Sequence, residues 1–395
     1  MIKKLQDKNI LVCVSGGIAA YKSLELIRFF KKRGANVRVI MSSGAQKFVG
    51  ALSFEALSGE IVLTQESESW GEGGANHISY ATWADVCIIA PATINTLVKF
   101  SYGIADNVML SALLACNAPK LIAPSANTVM YLSKQAQEAM QRVEKMGAKL
   151  IHARSGLLAC GVEGIGAMAQ VEEIGYEVLR VLLTHNFWKG KEVVISGGGS
   201  SENIDEVRCI SNHSSGLQAS YLALALYLLG AHVTFVTSKT PIVLPSSIKL
   251  KKAQNIQEFY TQIEQSVAEN GYYFAVAALS DFKPKKSIEG KIKKSQGLKV
   301  EFVPTIDVLA SLKVPNLTKV GFKAEKDEKK AKDYAMAMLK EKGCKYVCLN
   351  IIKEDNPFGS EQNSLLVMTQ NSQTSLALQD KLSLSFSLLD LIAND

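Results

Sequence analysis

The sequence predicts an α/β protein of two Rossmann-like domains, and three observations predict it. Short β-rich runs alternate with helical patterns along the chain, the pattern of parallel sheets covered by helices. The chain's 395 residues exceed the roughly 100–200 of one ordinary domain. The grammar of strand, glycines, helix and strand also occurs twice, so that "KRGANVRVIMS" and "LLGAHVTFVTS" read alike. That likeness spans one βαβ unit, which indicates two similar units and not a solenoid.

The elements follow in order. "NILVCV" is the first strand; Gly16 and Gly17 turn the chain into a helix through "AAYKSLELIRFFKKRG", and "NVRVIM" is the second strand. "VCIIAP" (86–91) and "KLIAP" (120–124) are further strands, each followed by a helix, and one long helix is expected through "YLSKQAQEAMQRVEKMG". "THNFWKG" (184–190) interrupts the periodicity, which sets the expected domains at 1–188 and 189–395. "EVVISGGG" opens the second series, continued by the helix "LQASYLALALYLLG" and the strand "HVTFVTS".

Composition narrows the classes of function. With 47% hydrophobic and 21% charged residues the chain reads as globular. The net charge of +7 is mild, and much of it sits in "DFKPKKSIEGKIKKS" (281–295). A single basic stretch suggests a local anion site; a nucleic-acid surface would spread basic residues along a face with aromatics between them. No apolar run reaches the length of a membrane span, and "MIKKLQDKNILVCV" shows no cleavage site. A cytoplasmic protein with neither membrane nor nucleic-acid partner is therefore expected. The seven cysteines are odd in number and scattered, without metal-ligand spacing, and Cys344 and Cys348 read as core thiols.

Several residues are candidates for chemistry. Gly16 and Gly17 in "SGGIAA" lie between strand and helix, where backbone N–H groups favour a phosphate. The second strand ends in Met41, Ser42, Ser43, Gly44 with no acid for a ribose diol, so a mononucleotide such as FMN fits better than NAD. The two glycines alone also suit a plain turn. His77, in the polar "GGANHISYATWAD", is a candidate acid, base or anion partner, or simply a satisfied polar residue. Asn127, after "KLIAP", is either a ligand-binding residue at a strand end or a helix N-cap. Cys160 sits among the glycines of "SGLLACGVEGIG", a setting suited to a reactive thiol, or simply a surface loop that happens to contain a cysteine.

Taken together, "VSGGIAAYK", "NHISYATWAD", "APAT" (90–93), "PSANTVM" and the "ACG" loop resemble the flavin-dependent cysteine decarboxylases over about the first 185 residues. "RCISNHSSG" and "SDFKP" with "KIKK" resemble the ligase domain that follows this decarboxylase in the bacterial bifunctional family of coenzyme A biosynthesis. The resemblance implies a flavodoxin-like first domain holding FMN through Gly16, Gly17, Ser42, Pro91, Ala92, Thr93 and Asn95. Flavin oxidation of a cysteinyl substrate would labilise its carboxylate, with His77 assisting, Asn127 holding the carboxylate and Cys160, on a closing flap, returning the proton. For the second domain it implies joining 4'-phosphopantothenate to cysteine through an acyl-cytidylate made from CTP. Asn212 and Lys291 would act on that intermediate, Ala277, Asp281, Lys291, Phe322 and Lys342 would hold the nucleotide, and Asp281 would hold Mg2+. It further implies a homo-oligomer, by family habit a dodecamer. Ala126 stands where the family has methionine, and "SGGGS", Leu217, "TIDV" (305–308) and Met338 depart from the ligase pattern. These departures leave open a degenerate or ATP-using ligase half, and a non-catalytic flavoprotein module is the remaining alternative.

Overall fold

The computed structural model describes residues 5–71, 74–159, 161–293, 298–352 and 359–395, so Cys160 lies outside the described residues. The chain divides into two units, Met1–Leu183 and Thr184–Asp395.

In the first unit a five-stranded parallel sheet runs in the spatial order 36–41, 9–14, 86–92, 120–124, 149–150. In chain order this is 2-1-3-4-5, the flavodoxin arrangement, with its switch point between strands Asn9–Val14 and Val86–Ala92. Apart from Asn9 both strands are apolar because helices cover both faces: Val86–Ala92 is buried at every position. On one face Leu97, Phe100, Met140 and Val143 from the following helices pack on Leu11, Cys13 and Ile89. Each such buried side chain contributes roughly 1.5–3 kcal/mol. On helices Lys22–Lys31 and Val171–Leu183, the rings of Phe29 and Tyr176 meet edge to face at 5.8 Å.

Two expectations change here. The long helix is two helices, Thr128–Leu132 and Lys134–Lys145, because Ser133 turns extended and its Oγ caps the second by accepting from Ala136 N–H at 3.3 Å. The glycine-rich stretch is also no open loop: Arg154–Leu157 and Glu163–Ala167 form an antiparallel hairpin. Its glycines serve close approach more than mobility. A Cβ on Gly166, at φ +140°, would stand 2.1 Å from the Ala126 carbonyl oxygen.

The second unit holds an eight-stranded sheet in the order 249–252, 232–237, 192–197, 272–275, 318–325, 346–351, 362–368, 373–380. The first six are parallel in the Rossmann order 3-2-1-4-5-6, and the last two add an antiparallel edge. Thr184–Trp188, expected at the end of the first domain, belongs to this unit. Trp188 is fully buried against Tyr272 at 5.1 Å, and its Nε1 donates to the Leu389 carbonyl at 3.2 Å.

Candidate active sites

The first crevice lies where the strand order reverses. Ser15, fully buried, donates its hydroxyl to the Pro91 carbonyl and accepts from Thr93 N–H, both at 2.8 Å, locking the ends of the two switch-point strands together. Ser42 N–H donates to the Val14 carbonyl at 3.0 Å, which brings the second strand's end to the same place. Gly16 has no room for a side chain, since a Cβ there would stand 2.6 Å from the Gly44 carbonyl carbon. Gly17 is extended and leads into the helical turn Ile18–Tyr21, which no side chain caps. Pro91, Ala92 and Thr93 thus line up beside Gly16, Gly17 and Ser42, while Asn95, one residue inside helix Ile94–Ser101, is exposed. A backbone-lined cradle at a helix start, with no carboxylate on the strand ends, fits the phosphate of a mononucleotide.

His77 is the second residue of helix Asn76–Trp83, which Asn76 pins to the preceding loop through Ser67 O (3.3 Å) and Ser69 Oγ (3.0 Å). This places His77 Nδ1 2.7 Å from Glu68 Oε1, with both side chains largely buried. The pair fixes the ring through Nδ1 and leaves Nε2 as the ring's other nitrogen. The second oxygen of Glu68 is buried and has no hydrogen-bond partner among the described residues. Asn127 caps Thr128–Leu132, its Oδ1 accepting from Val129 N–H at 2.9 Å, and the hairpin strand Glu163–Ala167 packs on this turn, Ala126 N–H donating to Gly166 O at 2.9 Å. Beyond the two hairpin strands, Leu158 N–H donates to Val162 O at 2.9 Å.

In the second unit a cavity of about 670 Å³ opens at the carboxyl ends of the parallel strands. It is lined by Asn212 and the loop to Gly216, by Ala277 and by Phe322, so three of the nominated residues meet there. Asn212 Nδ2 donates to the Leu279 carbonyl at 3.0 Å. Gly198, at φ +81°, begins the wall, and a Cβ there would stand 2.2 Å from Ser238 Oγ. The other nominated residues are not among its lining. Asp281 is exposed, Lys291 lines a separate groove with Lys293 and Lys299, and Lys342 is paired with Asp307 at 2.9 Å. Burial opposes ionisation of Asp307, but the Lys342 ammonium prevails and holds its carboxyl below the ordinary value. Among the described residues no group of three or more His, Cys, Asp or Glu side chains could hold a metal ion.

Sequence reasoning missed Ser15, Glu68, Lys239 and Lys381. Ser15 stood inside the quoted "VSGG". Glu68 gave no signal, because a carboxylate nine residues before a histidine becomes its partner only once the loop folds back. Lys239 and Lys381 line the second cavity. Lys381 is the first residue of helix Lys381–Ala393, where a cation opposes the helix dipole.

Residues 2–183 match the model of the flavoprotein family, and residues 188–394 match that of the DNA/pantothenate metabolism flavoprotein C-terminal domain. The chain is thus a two-domain α/β flavoprotein. It is 33% identical over 391 residues to the coenzyme A biosynthesis bifunctional protein of Haemophilus influenzae, covering 98% of this chain and 97% of that one. It is 32% identical over 394 residues to the protein of the same name from Escherichia coli, with 98% and 97% covered. Among solved structures, the FMN binding protein AtHal3 is 31% identical, covering 45% of this chain and 97% of that one at a TM-score of 0.39. The chain belongs to the family of bifunctional coenzyme A biosynthesis proteins, enzymes with a phosphopantothenoylcysteine decarboxylase half and a phosphopantothenate-cysteine ligase half.

Proposed function

We propose that the first half decarboxylates 4'-phosphopantothenoylcysteine with FMN and that the second makes this substrate from 4'-phosphopantothenate, cysteine and CTP. The convergence of Ser15, Gly16, Gly17, Ser42 and Pro91–Thr93 on one switch point carries the reading. In it, Gly16, Gly17 and Ser42 hold the flavin phosphate, and Pro91, Ala92, Thr93 and Asn95 border the ring system. When bound, the flavin supplies the redox chemistry that makes the substrate carboxylate labile. His77, held through Nδ1 by Glu68, offers Nε2 to the substrate as acid or base. Asn127 caps its helix through Oδ1, and its amide Nδ2 is the donor type that would bind a carboxylate. Cys160 is the proton donor that acts after CO2 leaves. The tight packing of Gly166 on Ala126 makes the hairpin a cover over Asn127.

In the second half Asn212, Ala277 and Phe322 border the nucleotide and acyl group. Mg2+ is usually held by one or two carboxylates plus substrate phosphates, which Asp281 satisfies as a single protein ligand. Lys291, on the basic stretch, would neutralise the triphosphate, and Lys342 is available only by leaving Asp307. Twelve copies in a homo-oligomer are in keeping with the apolar surface of Val129, Met130 and Leu132, each more than half exposed. Among the described residues no helix is long and apolar enough to cross a membrane, and the six described cysteines are free thiols, in keeping with a cytoplasmic enzyme.

The test is a coupled reaction with phosphopantothenate, cysteine, Mg2+ and either CTP or ATP, followed by mass spectrometry. CMP with phosphopantetheine is expected. If neither nucleotide yields a monophosphate while supplied phosphopantothenoylcysteine still loses CO2, the ligase half is inactive.

A further inference from the structure

The cavity of the second half carries a cation that the assignments above do not use. Lys381 is 7% exposed and lines the cavity, yet its ammonium makes no hydrogen bond or ion pair among the described residues. Its backbone N–H donates to the Glu361 carbonyl at 3.2 Å, and Glu361 is the acidic group that favours its charge. Burial outweighs that help and pushes the lysine below its ordinary pKa. A lysine both buried and set at the start of helix Lys381–Ala393 carries two electrostatic costs, which Glu361 offsets only in part.

The rest of the wall suits an anion. Helix Leu217–Leu228 points its start at the cavity behind Gly216, which is left-handed at φ +73° and supplies no side-chain cap. Ser214 and Ser215 stand just before it, their hydroxyls accepting from Gly216 N–H and Leu217 N–H at 3.4 Å, and Lys239 and Lys323 complete the charged lining, which contains no carboxylate among the described residues. Lys239 Nζ donates to Ser214 O at 3.4 Å and Lys323 pairs with Glu325 at 3.3 Å, so Lys381 is the lysine of the lining without such a partner among the described residues. The first turn of that helix begins at Leu217 and carries no cation of its own.

We propose that Lys381 binds a phosphate group between its ammonium and the start of helix Leu217–Leu228. The phosphate belongs either to a nucleoside triphosphate or to the phosphorylated acid substrate. The assignment rests on reading this cavity as the ligase site. A charge-assisted hydrogen bond to phosphate then replaces the hydration that Lys381 lost on folding.

The test uses the full chain and inorganic pyrophosphate as the calorimetric probe. Lys381→Gln and Lys381→Met are expected to weaken pyrophosphate about tenfold to a hundredfold, the factor such a bond carries. Lys381→Met is further expected to raise the melting temperature of the unliganded protein, because an unpartnered buried charge is gone; a structural lysine would give a fall. Lys381→Arg, which keeps the charge, is expected to retain most of the affinity, and this holds the proposal open to refutation if the Met variant fails to fold. Steady-state kinetics assign the source: a raised KM for CTP places the triphosphate on Lys381, a raised KM for phosphopantothenate places the substrate phosphate there. Pyrophosphate affinity within twofold of wild type in Lys381→Gln, or no binding to the wild type, overturns the proposal. A wild type that makes no CMP but binds pyrophosphate through Lys381 would overturn the ligase reading alone.

Discussion

Strands Asn9–Val14 and Glu192–Gly197 open the two halves in the same way, yet the halves build different crevices. In each, a buried serine at the strand end bridges to the neighbouring strand across the switch point. Ser15 takes the Thr93 N–H at 2.8 Å; Ser196 takes the Ala277 N–H at 3.4 Å and shares a proton with Tyr273 Oη at 3.0 Å. The divergence comes later. The first half crosses over after two strands, whereas the second lays Lys249–Lys252 outside strand His232–Thr237 before crossing. The result is a narrow backbone cradle in one half and a wide cavity lined by lysines in the other. A shared opening motif therefore fixes where a site lies but not what it binds.

The largest effect should come from breaking the cradle. Gly16→Val drives a side chain into the Gly44 backbone, and overpacking of this kind costs about 1–3 kcal/mol even where neighbours can shift. The expected outcome is loss of bound flavin and at least about tenfold less decarboxylation, with CMP formation by the other half little changed. Flavin absorbance and the two assays on one preparation check it. Parallel loss of both activities would mean that the halves are not separate sites.

A smaller effect should follow at the histidine. Glu68→Gln keeps the shape but weakens the hold on His77 Nδ1. Decarboxylation should fall about tenfold, short of the roughly 10²–10⁴-fold that removal of an acid–base group costs. In a His77→Ala background the same change should add almost nothing, because the residues act as one unit. Independent, additive losses would show that Glu68 acts on something other than His77.

The comparison also explains what was legible in the sequence. Strands buried on both faces announce themselves as continuous apolar runs, so "NILVCV", "VCIIAP" and "EVVISG" could be read directly. Strand Lys249–Lys252 could not, since its lysines suit an exposed sheet edge and leave no apolar pattern. The split at Ser133 was missed because "YLSKQAQEAM" keeps helical periodicity across a residue whose hydroxyl caps the second helix. Site residues followed the same rule. Gly16, Gly17, Ser42 and Pro91–Thr93 are contiguous with strand ends, which topology gathers. Asp281, Lys291 and Lys342 lie on loops, a strand-following turn and a helix end whose placement depends on pairings such as Lys342 with Asp307.

The smallest effect concerns how the basic stretch of the second half is held in place. Asp205 Oδ1 accepts from Val207 N–H at 2.8 Å and Arg208 N–H at 2.7 Å, and Oδ2 accepts from Ile292 N–H at 3.2 Å and pairs with the Arg208 guanidinium at 2.6 Å. Burial alone would raise this carboxyl, but the backbone N–H groups and Arg208 overcome it and hold the pKa at about 2. A depressed carboxyl stabilises the fold above its unfolded pKa of about 3.9 and loses that contribution as pH falls through the folded value. The melting-temperature gap between wild type and Asp205→Asn should therefore be constant above about pH 4 and close on going down to about pH 2. Hydrogen exchange at Ile292, next to Lys291, should be faster in the variant above pH 4, while the first half's amides stay unchanged. A gap that persists at pH 2 would mean that Asp205 holds the stretch by shape and not by charge, leaving the two halves alike in how they fix their loops.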